Sequence, residues 1–331
     1  MQLVAMGAQD VFLTGNPQIT FFKVVYRRHT NFSKECIKQE FAGTGSRKTC
    51  TLSRNGDLVQ EIYLHGTQSA NPTSVEVEIG GQRIDKHYGA WLDIYDELFE
   101  TNLTLKNAIE SKYRPLRFWF NRNPGLALPL IALQYHEVKI IVEGGSASDL
   151  LVNYVYLDTD ERRRFAQVSH EYLIEQVQHT GVETVTSSSA GKSTTITLTY
   201  NHPVKALFWN WGTGVDVTGY NAKLQLNGHD RFSEQDDLYF TGVQPYECGL
   251  RHDGKAPVAA APGKAGMYSF CLKPGEHQPS GSCNFSRIDN ARLNFSAVKG
   301  STDADNSCHV FALNYNVLRV MSGMGGLTYS N

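Results

Sequence analysis

Cysteine is sparse in these 331 residues and never paired in sequence. The six thiols, Cys36, Cys50, Cys248, Cys271, Cys283 and Cys308, include no C-x-x-C. That spacing excludes a disulfide scaffold and a zinc ribbon, and predicts free, mostly buried thiols made in a reducing compartment. Charge of one sign is lacking too: 31 Lys+Arg against 33 Asp+Glu leaves a formal net charge of -2. No global basic field exists to hold nucleic acid, so sequence-specific nucleic-acid binding is not expected. Nowhere do about 18 apolar residues run unbroken, so no membrane-spanning helix is expected. Met1 to Gln9 lacks a basic start and Asp10 interrupts it, which predicts no secretory signal.

The patterns of catalysis are missing as well. None of the eleven histidines forms H-x-H, the pair that lets two imidazoles on one strand face converge on an ion. No H-E-x-x-H and no G-x-S-x-G occurs. Gly191-Lys192-Ser193 ends like a phosphate loop, but Thr186 stands where the first glycine belongs, so it reads as a Ser/Thr-rich hairpin loop. Neither an enzyme, nor a metal, nor a cofactor is expected.

What is abundant is the short apolar run. Leu58–Leu64, Val75–Ile79, Leu116–Phe120, Tyr135–Val142, Leu151–Leu157, Thr194–Tyr200, Ala206–Trp211, Lys223–Leu226, Met267–Leu272 and Ala312–Val320 are rich in β-branched and aromatic residues. Several alternate with period two, as half-buried strands do. Between them lie turn signals such as Gly80-Gly81, Asn123-Pro124-Gly125, Gly144-Gly145 and Asn227-Gly228. The pattern predicts an all-β sandwich. One amphipathic helix is predicted over Gly89 to Glu100, with Trp91, Ile94, Tyr95, Leu98 and Phe99 on the face that covers a sandwich. Asp160 to Gln167 is too charged for a strand interior and reads as a connection between domains.

The length suggests two domains, and a faint repeat agrees. VEIGGQRID (77–85) parallels LQLNGHDRF (224–232); RFWF with NRNPG parallels YSFCLKPG; YHEVKI parallels IDNARL; NYVYL parallels NYNVL. The four matches keep one order, as duplication of a single unit would leave them.

Seven segments carry a wider likeness. GAQDVFLTGNPQITFFKVVYRRHTNF (7–32), SRNGDL (53–58), VEIGGQRIDKHY (77–88), NPGLALPLIALQYHEVK (123–139), LDTDERRRFAQVSHEYLIEQ (157–176), QPSGSCNFSRIDNARL (278–293) and NYNVLRVMSGMGGLTYSN (314–331) span the chain. Together they resemble the major capsid proteins of nucleocytoplasmic large DNA viruses, closest to those of the chlorella viruses and other phycodnaviruses. The resemblance implies two consecutive eight-stranded antiparallel jelly rolls, all-β with one or two short helices in loops. Its boundaries would be an arm over residues 1–22, a first jelly roll over 23–165 and a second over 166–331.

The resemblance further implies pseudo-hexagonal homotrimers tiling an icosahedral shell, assembled in the host cytoplasm. Partners would be neighbouring trimers, penton and minor capsid proteins, and an internal viral membrane. The chain is shorter than this family leads one to expect, with the shortening at Thr101–Lys112, Gly212–Asn221 and Gly249–Gly266, where outer loops would lie. That leaves two alternatives on the same fold: a minor capsid paralogue, or a virion surface protein binding carbohydrate or a receptor. Arg27 and Arg28, just after the arm, and Arg162, Arg163 and Arg164 are candidate inner-face or assembly contacts, with salt bridges across domains or subunits the favoured role, since Asp158, Asp160 and Glu161 sit beside the second group. Asn31, Asn102, Asn284 and Asn294 begin N-x-S/T sequons and are candidate glycosylation sites, although Asn284 and Asn294 fall in apparent strands and are expected to be buried or ladder-paired. The glycine-rich end, Met321 to Gly326, is expected to form a closely packed final turn.

Overall fold

The structure is a computed structural model that describes residues 7–43, 45–66, 71–100, 108–212, 217, 219–250, 265–300 and 304–330. It divides into two units, Met1–Asn31 and Phe32–Asn331. In the first, one helical turn, α1 (Val11–Thr14), closes with Gly15 N donating to Val11 O at 2.9 Å. Phe12, Leu13, Ile19, Phe21, Phe22, Val24, Val25 and Tyr26 are all exposed.

The second unit begins with nine strands: β1 (Phe32–Glu40), β2 (Arg47–Thr51), β3 (Leu58–His65), β4 (Ser74–Ile79), β5 (Gln82–Tyr88), β6 (Tyr113–Pro115), β7 (Leu128–Pro129), β8 (Val138–Glu143) and β9 (Asp149–Leu157). Helix α2 (Gly89–Phe99) and the single turn α3 (Trp119–Arg122) interrupt them. Helix α4 (Thr159–Gln167) leads to the remaining strands. These are β10 (His170–Ser187), β11 (Lys192–Leu198), β12 (Pro203–Trp211), β13 (Gly219–Leu226), β14 (His229–Asp230), β15 (Gln235–Asp236), β16 (Gly266–Ser269), β17 (Cys283–Asn284), β18 (Ala291–Lys299), β19 (Ala304–Met321) and β20 (Met324–Leu327).

Every ladder between these strands is antiparallel, and the strand orders repeat. One pair of sheets runs β1-β9-β3-β6 and β2-β8-β4-β5; the other runs β10-β19-β12-β16 and β11-β18-β13-β14. The short β7, β15, β17 and β20 attach beside these paths. Each strand of the first set has a counterpart at the same place in the second, so the halves are two consecutive jelly rolls. The register agrees in detail. In the first half Ile79 pairs with Val138, and Gly80 N donates to Glu137 O at 2.9 Å. In the second, Leu226 pairs with Ala291, and Asn227 N donates to Asn290 O at 2.7 Å. Both hairpins turn on two left-handed residues, Gly80-Gly81 (φ +57°, +85°) and Asn227-Gly228 (φ 51°, 80°), the geometry that matches strand twist.

Each sandwich closes on its own core. Val59, Ile62, Leu64 and Val152 meet Val75, Val77, Ile140 and Val142 in the first. In the second, Leu207, Trp209, Val310 and Ala312 meet Ile196, Ala222, Leu224, Leu293 and Phe295.

Three expectations need correction. Leu116–Phe120 is not a strand: pairing stops at Pro115, and Trp119 begins α3. Leu116, Phe118, Trp119 and Phe120 are all buried, and a period-two strand between a core and solvent would expose alternate members. The ladder of β8 starts at Val138, not Tyr135, because Tyr135 turns out to meet the C-terminal hairpin, its N–H donating to Gly323 O at 3.0 Å. Residues Ser188 to Gly191 close no hairpin, since β10 and β11 belong to different sheets. The charged connection is helical. Asp158 caps α4 by accepting from Thr159 N at 2.6 Å, with Asp160 and Glu161 in the first turn and Arg164 in the last, as the helix dipole favours.

Candidate assembly surfaces and the seam between the jelly rolls

Helix α2 belongs to the first jelly roll by sequence and is shared by both in space. Asp93, Asp96 and Glu100 tie it to the first half: Arg114 Nη2 lies 3.1 Å from Asp93 Oδ1 and 3.3 Å from Asp96 Oδ2. Arg117 Nη2 lies 3.1 Å from Asp96 Oδ1 and 2.7 Å from Glu100 Oε2. Its apolar face, Trp91, Ile94 and Leu98, packs instead on Ala206, Phe208, Met267, Phe311 and Leu313 of the second half. Strand β12 therefore buries both faces, Leu207, Trp209 and Trp211 inward and Ala206 and Phe208 against α2. The predicted helix does cover a sandwich, but the other one.

Two long strands complete the seam. Ile174 of β10, with Leu318 and Val320 of β19, enters the core of the first jelly roll. The β19–β20 turn follows, with Ser322 and Gly323 left-handed (φ 54°, 80°). Gly325 N approaches His136 Nδ1 at 3.2 Å, and a Cβ on Gly325 would meet Leu133 Cδ2 at 2.7 Å. The expected tight final turn is present, and the close approach is to the first jelly roll.

The seam also buries charge. Lys205 is fully buried, and its Nζ donates to Glu175 Oε1 at 2.6 Å and to Glu276 O at 2.9 Å. Arg122, from α3, holds Glu175 Oε2 at 2.8 Å. Burial alone would raise the Glu175 carboxyl, but the two cations hold it below its ordinary value. Nearby, Asp85 Oδ1 accepts from Val177 N at 3.1 Å, Gln176 donates to Ile84 O, and Asn316 Nδ2 donates to Gln176 Oε1 at 2.9 Å. None of these pairings follows from local spacing. The available signal was a charged residue in an apolar strand, Lys205 in PVKALFW and Glu175 in YLIEQV.

The candidate contacts scatter. Arg27 and Arg28 are exposed in the first unit. Arg162 Nε lies 3.0 Å from Asp57 Oδ1, clipping α4 to the first jelly roll, while Arg163 reaches Asp160 at 3.9 Å and Arg164 is exposed. Asn31 ends the first unit and is exposed, and Asn102 lies outside the described residues. Asn284 is exposed, not buried, and pairs with Pro203; Asn294 is half-buried in β18 between Thr195 and Lys223. All six cysteines are free, with Cys50, Cys271 and Cys308 buried. Of the three shortened segments, residues 101–107, 213–216, 218 and 251–264 also lie outside the described residues.

Two Asp–His pairs lie within hydrogen-bond distance among the described residues, Asp85 Oδ2 with His87 Nε2 at 2.9 Å, both buried, and Asp149 Oδ1 with His65 Nδ1 at 2.6 Å beside a serine. Ser148 Oγ, however, donates to Asp149 Oδ2 at 2.8 Å and to His65 O, so it is held by the acid and is not poised for the imidazole to activate. Among the described residues no group of three or more His, Cys, Asp or Glu could hold a metal.

Twin jelly rolls of one strand order, joined through a shared helix and a buried seam, define a double jelly-roll protein. The chain matches the family described as large eukaryotic DNA virus major capsid protein over residues 161–326, and the major capsid protein N-terminus over residues 20–160. It is 52% identical to the major capsid protein of Pyramimonas orientalis virus over 402 aligned positions, covering 100% of this chain and 99% of that protein. It is 43% identical to that of Paramecium bursaria Chlorella virus 1 over 439 positions, with the same coverage. Both alignments exceed 331 positions, so those relatives carry insertions that this chain lacks. The solved structure of PBCV-1 VP54 superposes with a TM-score of 0.81 at 35% identity, over 94% of this chain and 100% of that one. The chain belongs to the major capsid protein family of large eukaryotic DNA viruses. These relatives are structural capsid proteins, and the chain is a virion shell component, not an enzyme.

Proposed function

We propose that three copies of this chain associate into a trimer of nearly hexagonal outline that tiles an icosahedral shell. The observation that carries this reading is the repeated strand order inside one compact unit. Three copies present six similar barrels about an axis, and closed rotational symmetry lets each flank meet the same neighbouring surface. Many modest flank contacts then add up across a lattice.

In this reading residues 1–22 form an arm, 23–165 the first jelly roll and 166–331 the second. The arm and the residues that follow it to Asn31, with exposed aromatic and aliphatic side chains beside Lys23, Arg27 and Arg28, face the shell interior and meet minor capsid proteins or an internal membrane. Penton proteins and adjacent trimers are the other partners, and assembly takes place in the host cytoplasm. Arg163 and Arg164 remain available for neighbours, whereas Arg162 is engaged within the chain. Asn31 and Asn284 are the more accessible of the described sequons.

Light scattering coupled to size exclusion, with negative-stain microscopy, tests the proposal. The expected species has three times the 36.9 kDa chain mass and shows hexagonal outlines. A monomer at high concentration that binds glycans would favour a surface attachment protein instead.

A further inference from the structure

We propose that the pocket between the two jelly rolls, lined by Arg122, Asn123, Glu175, His277 and the rings of Tyr95 and Trp119, binds one phosphate-sized oxyanion. The pocket encloses about 140 Å³, room for a tetrahedral oxyanion but not for a nucleotide.

Both oxygens of Glu175 are taken, one by Lys205 at 2.6 Å and the other by Arg122 at 2.8 Å, so two cations share one carboxylate. Glu276 gives Lys205 only its backbone carbonyl, and its carboxylate pairs with Lys273 at 2.8 Å. A second buried carboxylate, Asp85, also acts on Arg122, so an anion would be drawn by unused directional donors and not by excess positive charge. Such donors are present. Arg122 Nε is buried with no hydrogen-bond partner among the described residues, and a guanidinium presents its N–H groups as a fork suited to an oxyanion. Asn123 and His277 also line the pocket and bring an amide and an imidazole as further hydrogen-bonding groups. Burial, Lys205 and Arg122 lower the proton affinity of His277, partly offset by Glu175, and a bound anion would reverse that balance. The ligand would bridge α3 of the first jelly roll to the loop after β16 of the second.

The test is thermal unfolding of the full chain as sulfate or inorganic phosphate replaces chloride at constant ionic strength. A ligand that binds only the folded chain raises Tm with saturation. The expected result is a saturable rise with either oxyanion, at least about tenfold weaker in apparent affinity for His277→Ala and absent for Arg122→Met. Sulfate, whose charge is constant, should bind the wild type more tightly at pH 6 than at pH 8, and His277→Ala should lose that difference. An equal response in wild type and His277→Ala, or one that follows ionic strength alone, overturns the proposal. If Arg122→Met does not fold, the His277→Ala comparison decides.

Discussion

Lys205 Nζ sits 2.6 Å from Glu175 Oε1 with the lysine side chain wholly out of solvent, and Arg122 reaches the other carboxylate oxygen. The pair joins β10 and β12, the two strands that flank β19 in one sheet, and the arginine comes from the other jelly roll. The three residues therefore couple the stability of one half to the placement of the other.

The shared carboxylate sets an order of effects. Glu175→Gln leaves two buried cations without their counter-charge, whereas Lys205→Met leaves Glu175 still paired to Arg122. Breaking a buried pair costs about 3–5 kcal/mol. Chemical denaturation should place Glu175→Gln at or above that range and Lys205→Met clearly below it; the reverse order would contradict the assigned pairing.

Trp91 is fully buried, with its ring 5.4 Å from that of Phe208 and 5.7 Å from that of Phe311, both in the second jelly roll. Trp91→Ala should cost about 3–5 kcal/mol by emptying this contact. The lost stability should appear as uncoupling, with calorimetry resolving two transitions and limited proteolysis cutting near α4. A single transition of unchanged cooperativity would mean that α2 does not join the halves.

Acid should loosen the same seam. His179 stacks on Phe311 at 4.5 Å, faces His309 at 5.4 Å and packs on Tyr88 at 4.6 Å. Burial, with His309 alongside, pushes its pKa down to about 4 from an ordinary 6.5, and burial also lowers His309. The folded state thus binds fewer protons than the unfolded state. Its contribution is whole above pH 6.5 and is lost as the pH falls toward 4. Denaturation midpoints measured across that window should fall in the wild type and fall less in His179→Phe.

The turn between β4 and β5 separates two glycine roles. Both Gly80 and Gly81 are left-handed, but a Cβ on Gly80 would strike the His136 ring at 2.3 Å, and one on Gly81 meets nothing within 4 Å. Gly81→Ala should cost about 1 kcal/mol for the backbone alone. Gly80→Ala should cost more, because His136 is held from both sides and the C-terminal hairpin rests on it. Equal midpoints for the two variants would remove His136 from that role.

Many of the strands could be read from alternation alone, and the duplicated hairpins from the Gly80-Gly81 and Asn227-Gly228 turns. Edge strands were harder. Phe32–Glu40 is largely exposed, so Lys34, Glu35, Lys38 and Gln39 blur the period that an apolar face would impose. Leu116–Phe120 failed for the opposite reason, because burial on all sides erases periodicity and leaves strand and helical turn alike.

Local order followed from the chain itself, since side-chain alternation, left-handed turn residues and the capping of α4 act over a few residues. The family, too, was legible in contiguous motifs. The folded arrangement alone decided that α2 serves the other sandwich, that the C-terminal hairpin rests on His136, and that Arg122, Glu175 and Lys205 meet. Those contacts join residues far apart in sequence, and their energies depend on burial and mutual distance, which no stretch of residues specifies before the chain has closed on itself.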